Sequence, residues 1–401
     1  MGSMLRLFRG LKPTVTKVAT LRVAMQLSRA ILHLYKIVFM KNFLINAVKI
    51  LASVGILAFL FYMAINTTDA NGKNVFNVLM ETEKNWTFLL LAFLCCLAAS
   101  VITFVRWHLL NRAVGFQVHW LDSLRIGFIG YLFNLLPVGG IVGGDLLKAW
   151  ILAKEQETID KISAISTGDK KPQSRIPDAL ATVFTDRLFG LYALFLLAAV
   201  AIFFSGIDKI DNAVIQKICY ATYIIAAAWT ALIIVILGPD YTNGKSIEAL
   251  GRIPYVGPGL KRTVESIRLF QKHIKTLVVV TVMGLVVHFF FAACIFLISA
   301  SLFGANSLPL ETHLVITPLG LSTGAIPLSV GPFEVVLDIF YAAIPLATGE
   351  KMLVGSGLVV ALTYRILVLL VSTFGVVYYF SSKQEIQSVM KDSAKEDSAN
   401  S

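Results

Sequence analysis

Between Phe133 and Asp145 an apolar run reaches Pro137, then places glycines at Gly139, Gly140, Gly143 and Gly144, then a carboxylate, Asp145, that opens a new apolar run. The flanking arms, Leu124–Leu136 and Leu146–Leu152, are each shorter than the roughly 20 apolar residues a helix needs to cross a bilayer. An arm of about 13 residues reaches only about 20 Å at 1.5 Å per residue. Two short arms about a Pro/Gly break predict a re-entrant hairpin, because broken backbone at membrane depth is tolerated only where protein buries it or where it lines a cavity. A single helix with a glycine-rich kink is the alternative. The surroundings are those of a membrane: 57% of residues are hydrophobic, mean hydropathy is +0.76, and the apolar residues come in long blocks. The core of such a chain is its packed spans, with no separate soluble core.

Five segments follow from the blocks. Residues 1–42 carry eight Lys/Arg and no Asp or Glu. Arg22, Gln26, Arg29, His33 and Lys36 fall on one side of a helix and Leu21, Met25, Leu32, Tyr35 and Phe39 on the other. That pattern suits a basic amphipathic helix on an anionic leaflet; a targeting segment, or a true start at Met25 or Met40, are the other readings. Residues 43–237 form a first membrane half, with spans at about Phe43–Ile65, Trp86–Val105, Ala179–Phe204 and Ala213–Leu237. The first hairpin falls at about Leu124–Lys154 and a flexible polar loop at Glu155–Asp178. Residues 238–275 form a basic linker. Residues 276–380 form a second membrane half, with spans at about Thr276–Phe303 and Met352–Phe380 around a second broken stretch, His313–Leu346. Residues 381–401 are a polar tail. The expected fold is therefore an all-α polytopic membrane protein with six full spans and two re-entrant hairpins.

The halves resemble each other. Leu136-Pro137 with Gly143-Gly144-Asp145 matches Ile326-Pro327 with Gly331-Pro332-Phe333-Glu334, and Thr185-Asp186-Arg187-Leu188 matches Thr363-Tyr364-Arg365-Ile366. Each repeat has two spans, a hairpin and one span, the fourth span opening the second repeat; three crossings per repeat make it inverted, and paired broken helices in inverted repeats place a substrate near the midplane of a transporter. The net charge of +11 reports orientation and anionic headgroups in a membrane protein. Lys and Arg concentrate in the N-terminus, residues 106–125, the polar loop, the linker and the tail, which puts both termini in the cytoplasm and the chain, multi-pass, in the inner (cytoplasmic) membrane.

No nucleic-acid module is visible. Cys95, Cys96, Cys219 and Cys294 lie inside apolar blocks, and the six histidines show no ligand spacing, so neither a disulfide framework nor a metal or other cofactor is expected. The residues that could carry chemistry are charged ones at membrane depth, each a functional hypothesis because burial of a charge in lipid is expensive. Arg187 and Arg365 suit bidentate binding of phosphate. Asp145 and Glu334 sit at the starts of the outgoing arms, where free N–H groups attract anions. They could cap those arms, carry a coupling proton, or lock against Arg187 and Arg365. The glycines let a headgroup approach backbone. Gly139, Gly140, Gly143, Gly144, Asp145, Asp186, Arg187, Pro327, Gly331, Glu334 and Arg365 are the candidate substrate-binding set. Lys148 reads as a snorkelling lysine before a headgroup contact, and Asp338 as facing water.

The run Phe133-Asn134-Leu135-Leu136-Pro137-Val138-Gly139-Gly140 with Gly143-Gly144-Asp145-Leu146-Leu147-Lys148-Ala149, the later Asp186-Arg187-Leu188-Phe189-Gly190-Leu191, and Pro327 with Gly331-Pro332-Phe333-Glu334 resemble the flippase-like membrane region of lysylphosphatidylglycerol synthetases over about residues 43–380. At the second hairpin Leu328-Ser329-Val330 replaces a Gly-Gly run. In the full-length synthetase this region is taken to translocate an aminoacylated phosphatidylglycerol made by a soluble domain. A stand-alone member lacking that domain is implied here, and family members are also linked to polyprenyl-phosphate sugars and to hopanoids. The resemblance implies a lipid translocator, not an enzyme, that moves an anionic or phosphate-bearing lipid. A membrane scaffold or a transferase subunit of envelope lipid or glycan synthesis is the alternative. The implied partner is a membrane lipid with an anionic headgroup and no nucleic acid; a homo-oligomer or an envelope-synthesis protein stays open.

Overall fold

A computed structural model describes residues 47–69, 71–135, 140–167, 174–238, 248, 251–252, 261, 264–265, 268–326, 328, 330–346 and 348–399. The described residues are helical and contain no strand, only an isolated bridge between Pro345 and Lys351. In chain order the main helices are α1 (Ala47–Asn66), α2 (Val75–Glu81), α3 (Trp86–Ala113), α4 (Trp120–Leu135), α5 (Gly140–Thr167), α6 (Ile176–Ser205), α7 (Ala213–Leu237), α8 (Ile274–Phe303), α9 (Leu310–Ser322), α10 (Pro332–Ala343) and α11 (Ser356–Ala399). Residues 53–380 form one compact unit. The basic helix expected within residues 1–42 lies outside the described residues.

Six helices, in α1, α3, α6, α7, α8 and α11, are long and apolar enough to cross a membrane, and they coincide with the six expected spans. Their ends follow local chemistry. Asn85 and Asn212 accept hydrogen bonds from the first-turn amides of α3 and α7, and Gly206 closes α6 in the left-handed conformation, φ 66°. Large apolar side chains such as Phe204, Ile224 and Val235 face outward, as lipid-facing positions do.

The remaining helices are shorter or more polar. α9 and α10 have 13 and 12 residues, about 20 and 18 Å of helix against a hydrocarbon core of about 30 Å. They pack on each other, as α4 packs on α5. The turns that would make these pairs re-entrant, at residues 136–139 and at 327 and 329, lie outside the described residues. α6 is the hub: it contacts α5, α7, α8 and α9, while α3 and α8 share a long interface. α11 approaches α4 closely at Gly375, where a Cβ would meet the Phe128 carbonyl.

Two sequence expectations are corrected. The stretch from Glu155, expected as a flexible loop, is helical to Thr167. Its acids have partners: Glu155 with Arg125 (2.5 Å), Glu157 with Lys154 (3.0 Å), and Asp160 with Arg175 (3.0 Å). Burial pushes the Asp160 carboxyl up, but hydrogen bonds from Gln156 and Arg175 and the Arg175 charge leave it below its ordinary value. Polarity there belongs to a helix whose charged side chains are paired, not to a break in helix. The second correction is to the end of the second span. That span, expected to end at about Val105, continues in α3 to Ala113, and Arg106 and Trp107 are buried. The cause is a buried acid on α6.

Candidate functional site

At the first hairpin, α4 and α5 cross almost backbone to backbone. A Cβ on Gly144 would collide with the Gly130 carbonyl and the Asn134 side chain, and a Cβ on Gly130 with the Lys148 stem. Asn134 clamps the crossing: its Oδ1 accepts from the Gly144 amide at 3.0 Å, and its Nδ2 donates to Asp145 Oδ1 at 3.3 Å. Gly143 next door faces open space. Gly144→Ala is therefore expected to destabilise the protein by about 1–3 kcal/mol through overpacking against backbone that cannot move aside. Gly143→Ala, which adds a better helix former in free space, gains up to about 1 kcal/mol. Melting temperatures of the two variants in detergent check the contrast.

The close crossing presents Asp145 to α6, where Arg187 Nε donates to its Oδ2. The carboxylate is nearly buried and the arginine side chain keeps 43% of its surface accessible. Lys148, one turn on, does not snorkel. Its stem crosses Gly130 and its ammonium lies 4.5 Å from the Trp107 ring centroid and 3.9 Å from Asp145 Oδ1. Trp107 is held in turn by Thr182 on α6.

The second hairpin repeats the arrangement. Gly331, at φ 115°, precedes α10, and Glu334 reaches back so that its Oε2 accepts from the Gly331 amide at 2.7 Å. Its Oε1 accepts from Arg365 Nε at 2.8 Å. Glu334 is fully buried while Arg365 keeps 30% of its surface accessible beside the Phe333 ring. Capping and locking were alternative roles for this carboxylate; it does both. Asp338, expected to face water, is buried and accepts from the amides of Gly355 and Leu358, tying α10 to the start of α11. The free amides at that helix start need an acceptor, and α10 supplies it.

A third pair was not anticipated. Arg106 on α3 donates from Nε to Asp186 Oδ1 at 2.8 Å and from Nη2 to the Asp186 carbonyl at 3.2 Å, with both side chains buried. The guanidinium fits because Gly190 on α6 and Gly284 on α8 lack side chains: a Cβ on either would stand 3.1 or 3.3 Å from its nitrogens. His288 donates from Nε2 to the Gly190 carbonyl at 3.0 Å, given that a carbonyl can only accept. His288 is buried in the bundle.

Of the candidate residues, Asp145 and Arg187 are brought together, and so are Gly331, Glu334 and Arg365. Gly144 makes the crossing, Gly140 opens α5, and Asp186 turns to Arg106. Gly139 and Pro327 lie outside the described residues. Asn134, Lys148 and Arg106 were not among the candidates. A signal for Arg106 existed: apolar residues resume after it, so the span did not have to end there.

A family model described as the lysylphosphatidylglycerol synthase TM region matches residues 46–375. No curated protein and no solved structure matches.

Proposed function

The chain belongs to the lysylphosphatidylglycerol synthase TM-region family, and from that premise and the site geometry we propose that it carries a lipid with an anionic or phosphate-bearing headgroup across the cytoplasmic membrane. One observation carries the proposal. Twice, a buried carboxylate near the start of a helix, α5 or α10, holds a partly accessible arginine of the next span. A guanidinium alone in lipid is expensive, so the carboxylate keeps the empty state tolerable. A headgroup phosphate offers the same bidentate acceptor geometry and can replace it. Exchange between carboxylate and phosphate is the differential contact that an alternating-access cycle requires. The two pairs would sit near the midplane of an inverted repeat, on re-entrant hairpins, while acyl chains stay in lipid. The distribution of Lys and Arg favours cytoplasmic termini. In this reading the protein is not an enzyme and makes no bond.

The test is reconstitution into liposomes containing phosphatidylglycerol labelled on its headgroup. The wild-type chain is expected to make inner-leaflet label accessible, and Arg187→Ala and Arg365→Ala proteins that fold normally to do so at least about tenfold more slowly, the loss of one charge-assisted contact. Equal rates in all three would remove the translocation site. Wild-type inactivity with a co-purifying envelope-synthesis protein would favour a scaffold instead.

A further inference from the structure

The two halves part company one turn beyond their carboxylates. The same three-residue step leads from Asp145 to Lys148 and from Glu334 to Leu337. Both side chains fill the same place: Lys148 lies over Gly130 of the preceding arm, and Leu337 over Gly320 of its own. Leu337 is a buried core residue. The Lys148 side chain is also almost withdrawn, 7% accessible, yet it ends in an ammonium. Its nearest carboxylate oxygen, Asp145 Oδ1 at 3.9 Å, is beyond hydrogen-bond range, and it makes no hydrogen bond among the described residues. Asp145 is already engaged by Arg187 and Asn134. Among the described residues two cations therefore face one carboxylate at the first hairpin, and one cation, Arg365, faces Glu334 at the second. Arg106 and Asp186 neutralise each other nearby.

We propose that the first hairpin holds the tighter phosphate-binding site, in which the Lys148 ammonium supplies a binding charge that the neutral Glu334–Arg365 pair lacks. This rests on the translocation reading and narrows it. An excess of one positive charge in a nearly buried site is cancelled by one negative charge, so a singly charged phosphodiester fits and a doubly charged monoester leaves the site negative. Lys148 brings N–H donors that no group among the described residues takes up, and the Trp107 face fixes the ammonium without competing for them. In the second half Leu337 offers a phosphate nothing.

The experiment is native mass spectrometry of the full chain titrated with phosphatidylglycerol, with diacylglycerol as the phosphate-free control and inorganic phosphate as competitor. Saturable binding of phosphatidylglycerol but not diacylglycerol is expected, weakened about tenfold in Lys148→Met, the loss of one charge-assisted hydrogen bond. The melting temperature of Lys148→Met should be equal or higher, since a buried charge is removed; a merely structural lysine would lower it. Displacement by inorganic phosphate assigns the site to free anions, and resistance to it assigns the site to lipid-borne phosphate. Lys148→Gln serves as a second uncharged variant. Undiminished binding in either variant, or failure of both to fold, overturns the assignment to Lys148 and leaves the translocation reading standing. A wild-type chain that binds neither probe overturns both.

Discussion

Arg106→Ala is expected to destabilise the protein by about 3–5 kcal/mol, the usual consequence of removing one partner of a buried ion pair. The Asp186 carboxylate would be left buried between α3, α6 and α8 with no cation, and the slot made by Gly190 and Gly284 would be empty. The double variant Arg106→Met/Asp186→Leu fills the slot without charge and should recover most of the loss, because a buried pair traded for apolar side chains of similar volume is often close to neutral. Arg106→Lys should recover little: an ammonium cannot reach both the carboxylate and the Asp186 carbonyl with the fixed fork of a guanidinium. Thermal melts of the four proteins in one detergent check this. A single variant as stable as the wild type would mean that water reaches the pair.

Glu334→Gln should be nearly as damaging despite being isosteric. Both carboxylate oxygens accept, one from Arg365 Nε and one from the Gly331 amide. A glutamine offers one acceptor and one NH2, so one of the two facing donors meets another donor. Glu334 is wholly buried, and the loss should approach the same roughly 3–5 kcal/mol, reduced because Arg365 is partly accessible to solvent or headgroups. Glu334→Gln/Arg365→Gln removes the conflict on the arginine side and should be more stable than Glu334→Gln alone. The ordering of the melting temperatures is the readout, and a single variant more stable than the double would sink the argument.

The spans could be read from the chain because the bilayer imposes one requirement, a long apolar helix, that does not depend on neighbours. Ala213–Leu237 comes out with the same bounds from hydropathy and from coordinates. The Asp145–Arg187 and Glu334–Arg365 pairings were within reach for a related reason: a charge in that setting must find a countercharge, and few were on offer. Arg106 failed as an expectation because an arginine near a span end usually marks the interface. Only its partner, 80 residues away, draws it inside. Lys148 failed likewise: snorkelling is the default for lysine, and nothing local says that Gly130 and Trp107 will enclose it.

From composition and pattern alone come the membrane, the six spans, the two broken stretches and the charged residues that must be reconciled with them. All of these are properties of a segment in a known solvent. What needed the packed chain was which carboxylate meets which guanidinium, and how far each is withdrawn. Lys148 and Leu337 occupy corresponding places in two similar halves, and neither shows its surroundings until the arms cross. Pairing and burial depend on contacts between residues tens to hundreds of positions apart, and no local rule carries that information.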